Sequence, residues 1–195
     1  MNWRFEIVRV VFDMNGSLSK LYWIVFLIVF AMPAFGQLEE TIEADAMIEW
    51  SESRPLEWKD YTYRRIRLKG SMALTMVKHS VKGYLRNGLP EFEIKVLFRK
   101  PNSWTSDTTN LELLGHEQLH FDIAELYRRK IETEIIKLQQ KKEKKAGVYK
   151  AEIKRILDEF NAYSRRYDRE SNHGKNKLEQ AKWKEQVASS LEKVK

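Results

Sequence analysis

His116-Glu117-Gln118-Leu119-His120 sets two imidazoles four residues apart with a carboxylate between them. On a helix such residues lie one turn above each other, so both rings can reach the same zinc ion. Glu117, about 100° round the helix, then meets a water on that ion rather than the ion itself. The pattern is a ligand pair plus a general base, the parts needed for metal-assisted hydrolysis. Its plain alternative is two partly buried, hydrogen-bonded histidines on an amphipathic helix. A catalytic zinc takes three protein ligands and keeps one position open, so the motif demands one further His or carboxylate. With Cys 0 in the sequence, thiolate ligands, thiolate nucleophiles and disulfides are excluded.

The third ligand is not in the next turns of the same helix. Ile123 and Leu126 stand where the extended metzincin pattern has a glycine and a histidine, and Glu125 points to the opposite side of the helix. Two other histidines remain, His79 and His173. His173 lies in Tyr167-Asp168-Arg169-Glu170-Ser171-Asn172-His173-Gly174, just after a predicted helix, and is the expected ligand, with Asp168 and Glu170 as runners-up. Carboxylates commonly orient metal-bound imidazoles through the other ring nitrogen, and Asp168 and Asp122 are the candidates for that task. Asp122 falls toward the polar side of the helical wheel and reads equally well as a surface aspartate. Tyr167 or Tyr163 could donate to the oxyanion of a tetrahedral intermediate, although packing in a core is the commoner fate of such tyrosines.

These residues need elements to hold them. All four prolines precede residue 102, which leaves the second half free to be helical. From Asn110 onward Leu113, His116, Leu119, His120, Ile123, Leu126, Tyr127 and Ile131 share one sector of a wheel. The lysine-rich run 137–145 reads as a solvated helix end or exposed connection. Ala146-Gly147 is the expected break, followed by a helix carrying Tyr149, Ile153, Ile156, Phe160 and Tyr163, and by a last one carrying Leu178, Trp183, Val187 and Leu191. Upstream, Phe92, Ile94, Val96 and Phe98 alternate with polar residues as on a half-buried strand. Residues 61–68 and 71–79 are weaker strand candidates, with Gly70, Gly83 and Asn87-Gly88 as turn signals. The expected fold is α+β: a small antiparallel sheet, then a helical half.

A chain of 195 residues, 43% hydrophobic and 32% charged, is sized for a single domain with a real core. Residues 21–32 form an apolar run of about a dozen residues, shorter than the ~20 a membrane-spanning helix needs. Lys20 precedes it, and Ala34-Phe35-Gly36 puts small residues where a leader is cut, so residues 1–36 read as a signal peptide or signal anchor and 37–195 as the exported domain. Periplasm and external medium are equally compatible with this, and the membrane is involved only through an uncleaved N-terminal segment. The net charge of +7 is concentrated in the last third without interleaved aromatics, and nucleic acid is not expected as a partner.

Several segments together resemble the predicted secreted zinc-dependent proteases of bacteria, a family catalogued mainly as a domain of unknown function. They are Trp50-Ser51-Glu52-Ser53-Arg54-Pro55-Leu56-Glu57-Trp58-Lys59-Asp60-Tyr61, Ser103-Trp104, Leu113-Leu114-Gly115-His116-Glu117-Gln118-Leu119-His120-Phe121-Asp122, Tyr167-Asp168 with His173-Gly174, and Gln180 with Trp183. The family favours Thr where Ser171 stands and Phe where Tyr61 stands. The resemblance implies export and metallopeptidase chemistry on a zincin-like domain, with zinc on His116, His120 and His173, Glu117 as base, and a peptide or protein as substrate. Two rivals keep the same motif: a non-catalytic metal-binding module of the cell envelope, and a metal-dependent amide hydrolase acting on cell-wall material.

Overall fold

The computed structural model describes residues 3–8, 46–65 and 72–194. The apolar run 21–32 and the expected cleavage after Gly36 lie outside the described residues, as does Gly70. The strands are β1 (Trp3–Val8), β2 (Met47–Glu49), β3 (Thr62–Tyr63), β4 (Ala73–Leu74), β5 (Val77–Arg86), β6 (Leu89–Arg99) and β7 (Trp104–Thr105). Three helices follow: α1 (Leu111–Gln140), α2 (Ala146–Ser171) and α3 (Lys177–Lys193). The fold is α+β, a small antiparallel sheet followed by helices, and no described helix is long and apolar enough to cross a membrane.

The main sheet is antiparallel with order β1-β5-β6-β2. Its centre is the β5–β6 hairpin, turned by Asn87 (φ 52°) and Gly88 (φ 78°), the two successive positive φ values of a tight turn whose twist matches the flanking strands. The register sets Val77, His79, Val81 and Gly83 opposite Phe98, Val96, Ile94 and Phe92. Period two thus brings one face of both strands to the core. Gly83, read from sequence as a turn, lies inside β5 opposite Phe92, whose ring packs on Tyr149 at 5.3 Å. Residues 71–79 do not form one strand: β4 ends at Leu74, and β5 begins at Val77. Of 61–68, Thr62–Tyr63 forms β3, which joins a second sheet ordered β3-β7-β4. Here β3 and β7 are parallel, so the expected single antiparallel sheet is accompanied by a small mixed one. The strand β1 falls within residues 1–36, the expected leader, and pairs along β5 from Trp3 opposite Gly83 to Val8 opposite Lys78.

Helix α1 lies across the sheet because its apolar stripe faces β6, β5 and the other helices. Leu119, Ile123, Leu126 and Ile131 are buried among Val96, Phe98, Ile153 and Phe160. Asn110 caps its start, its side chain accepting the Leu113 N–H at 2.9 Å, which satisfies one of the backbone donors a helix leaves unpaired. The break after α1 comes earlier than Ala146-Gly147. Lys142 turns left-handed (φ 55°), the Glu143 carboxylate accepts the Lys145 N–H, and the Tyr149 hydroxyl donates to the Glu143 carbonyl. Local hydrogen bonds fix the turn at 141–145, and Gly147 falls in the first turn of α2. On α3, Trp183 and Val187 are buried as expected, but Leu178 is exposed, two residues after the Asn176 cap.

His79 belongs to this core rather than to any site. Its Nε2 lies 3.0 Å from the Ala124 carbonyl, which can only accept, so that nitrogen carries the proton. Its ring meets Phe160 edge-on. Burial pushes its pKa down to about 4, against the hydrogen bond to Ala124. The unfolded chain therefore binds a proton first, and the stability that a neutral His79 allows is complete above about pH 6.5 and lost as the pH falls toward 4. Urea unfolding at pH 7 and pH 5 should show His79→Gln losing about 2 kcal/mol less than the parent over that interval. An unchanged loss would mean that another group carries this part of the acid sensitivity.

Candidate metal centre

The inner face of the second turn of α1 carries the motif. His116 and His120 are 2% and 5% exposed, with ring centroids 4.9 Å apart and planes nearly perpendicular. Both Nε2 atoms converge on Asp168 of α2, His120 at 2.9 Å and His116 at 3.3 Å from the same Oδ1. Among the described residues this is the group of three whose ligand atoms all lie within 4.8 Å of one another. Burial disfavours the Asp168 carboxylate, yet the charge and hydrogen bond of His120 and the nearby His116 and His173 rings hold its pKa well below the usual range. The same pairing raises the pKa of His120 in spite of its burial.

The other ring nitrogens are held as well. His116 Nδ1 lies 3.2 Å from Gln180 Oε1, and His120 Nδ1 lies 3.0 Å from Ser164 Oγ. An amide oxygen accepts, so Gln180 places the His116 proton on Nδ1 and leaves a lone pair on Nε2 aimed at Asp168. Two acceptors facing each other at 3.3 Å call for a proton or a cation between them. Four ligands at about 2.1 Å from a tetrahedral zinc would stand roughly 3.4 Å apart, so the spacing and the nitrogen–oxygen donor set both fit that ion.

The Tyr167 ring stacks on His116 at 4.7 Å and meets Trp183, which in turn meets Tyr163, an aromatic seam running from the centre between α2 and α3. Tyr167 is fully buried, and its hydroxyl donates to Gln180 Oε1 at 2.7 Å. Burial drives its pKa far up. The phenol therefore braces His116 and Gln180, its hydroxyl lying against Gln180 Oε1 and the His116 carbonyl. The Tyr163 hydroxyl accepts from Gln186.

Glu117 is 5% exposed, and no hydrogen bond or ion pair to its carboxylate is found among the described residues. Its charge is felt by Tyr61, whose hydroxyl pairs with Thr75 and whose pKa is raised by burial and by Glu117. The segment before Tyr61 is fastened to α1 by the Leu56 N–H on Gln118 Oε1. Asp122 touches neither motif histidine through its carboxylate hydrogen bonds. Its Oδ1 accepts from Trp50 Nε1 and Gln118 Nε2, and burial raises its pKa. Glu170 accepts from Trp183 Nε1 and ties α2 to α3, while Glu125 is paired with Arg128 and Arg129 away from the centre.

His173, the expected third ligand, is adjacent to the convergent group but not within it. Its Nδ1 is 3.7 Å from Asp168 Oδ1, and its side chain is 56% exposed. Asp168, the runner-up, makes the contacts to both motif imidazoles. Ser164 and Gln180 were not singled out by their chemistry. Ser164 stands one helical turn before Asp168 and shares its face, so fixing Asp168 in the site brings Ser164 with it. Gln180 lies on α3, and no spacing in the sequence links it to His116.

A family model described as "Bacterial protein of unknown function (DUF922)" matches residues 58–174. The chain belongs to DUF922. No curated protein and no solved structure matches it. The DUF922 span begins at Trp58 and closes at Gly174, so it holds His116, Glu117, His120, Ser164, Asp168 and His173, while Gln180 falls beyond it. Its last residue has a visible task. Gly174 has φ +77°, and a Cβ placed there would lie 2.9 Å from His116 Cβ and 3.0 Å from Cγ. Gly88 has nearly the same φ with nothing within 4 Å. Gly88→Ala should therefore cost only the backbone penalty, about 1–2 kcal/mol, while Gly174→Ala adds the overlap with His116 and costs about 1–3 kcal/mol more. Urea unfolding of the two variants measures the difference. Equal losses would show that His116 is not held by this contact.

Proposed function

We propose that this chain is an exported zinc-dependent metallopeptidase that hydrolyses peptide bonds. The observation that carries the reading is the meeting of His116 Nε2, His120 Nε2 and Asp168 Oδ1 beside a buried Glu117 that has no hydrogen bond or ion pair among the described residues. These three atoms are the ligand set the geometry favours. A zinc ion held there would supply Lewis acidity, lowering the pKa of a water in its open position and polarising a carbonyl oxygen. Gln180 and Ser164 hold the Nδ1 atoms and thereby aim the Nε2 lone pairs. Glu117 takes the proton of the attacking water on a carboxylate oxygen and returns it to the leaving amine nitrogen. The zincin-like assignment rests on the motif helix lying against a sheet. Export is supported by the pattern of residues 20–36.

Elemental analysis of the full chain should find about one zinc per chain, and His116→Ala, His120→Ala and Asp168→Ala should each lose it. Glu117→Gln should retain zinc and lower casein hydrolysis by about 10²–10⁴-fold. Retained hydrolysis in Glu117→Gln would remove the base from the mechanism, and a parent chain that takes up no zinc would remove the mechanism itself.

A further inference from the structure

The chain leaves α2 through three successive left-handed residues, Asn172 (φ 49°), His173 (φ 53°) and Gly174 (φ 77°). One left-handed residue is enough to end a helix, and Asn172 provides it. A second non-glycine residue in that region is disfavoured, and such backbone is retained where surrounding structure holds a side chain in one place. The place is visible. The His173 N–H bonds the Asp168 carbonyl at 2.9 Å, the Gly174 N–H bonds Ser171 Oγ at 3.2 Å, and Gly174 abuts the His116 ring. Seated this way, the turn sets the His173 ring beside Asp168 Oδ1 on the exposed side of a centre whose other two histidines are buried. Tyr167, the other candidate to face a substrate, has its hydroxyl on Gln180.

We infer that His173 is the substrate-facing donor of this site, its ring N–H hydrogen-bonding the oxygen of a peptide carbonyl as that oxygen gains charge, with Asp168 rather than His173 completing the ligand set. The inference rests on the metallopeptidase reading and adds the residue that contacts the substrate. A donor aimed at developing negative charge contributes to the rate where a further ligand would close the open position.

The test uses the zinc-loaded full chain and acetohydroxamate, a small carbonyl analogue that needs no side-chain pocket. Zinc affinity is read by chelator competition and acetohydroxamate affinity by calorimetry. His173→Ala should hold zinc within about threefold of the parent and bind acetohydroxamate about tenfold or more weakly, as loss of a hydrogen bond to a charged group implies. With Nδ1 turned toward Asp168 the outward donor is Nε2, so His173→Asn, which tolerates the left-handed backbone but has no N–H at the Nε2 position, should keep the turn and zinc and bind acetohydroxamate as weakly as His173→Ala. Loss of zinc in His173→Ala would overturn the inference by making His173 a ligand. Unchanged acetohydroxamate binding with zinc retained would overturn it by making His173 a bystander. Both results leave the metallopeptidase reading intact, whereas a parent chain that takes up no zinc overturns the two together.

Discussion

A buried imidazole nitrogen without a partner costs several kcal/mol, and α1 buries two imidazoles on one face. Much of the helical half can be understood as the answer to that demand. Asp168 meets both Nε2 atoms, Ser164 and Gln180 take the Nδ1 atoms, and Tyr167 fills the space behind. These partners come from α2 and α3, so the two later helices are fixed in rotation as well as position against α1. A slip of one residue along α2 would turn Asp168 and Ser164 about 100° away from both histidines.

The acidic residues around α1 show how environment separates groups of the same chemistry. Asp168 is paired with imidazoles and stays ionised, Asp122 is desolvated against Trp50 and Gln118 and its pKa rises, and Glu125 is neutralised by two arginines. Among the described residues, Glu117 has no such partner. Sequence distance to the motif histidines does not sort these roles, because Asp122 is two residues away and Asp168 is forty-eight.

What could be read without coordinates was what periodicity and local chemistry carry. The strand of Phe92 to Phe98, the Asn87-Gly88 turn and the Asn110 start of α1 follow from period, positive φ and capping. The paired ring nitrogens follow from the four-residue spacing alone. Gly83 misled because glycine marks turns more often than strand interiors, and the two-residue strands β3, β4 and β7 are too short to imprint a period. At the centre, the preference for His173 over Asp168 weighed ligand type, whereas the side chain that meets both motif imidazoles depends on which residue of the α2 end faces α1. The left-handed turn that carries His173 outward and Gly174 inward is set by backbone dihedrals with no motif of their own.

The donors at this centre belong to the beginning of one helix and the end of another, with the sequence between them folded into most of the core. Unfolding scatters them, so any ion they hold would be released with the fold. Binding and folding then become one equilibrium. Free ion at a hundredfold excess over its dissociation constant would add about 2.7 kcal/mol to the native state, a large share of a small domain's margin. Where the ion is scarce, the abundance of folded chain would track the metal supply before any substrate is met.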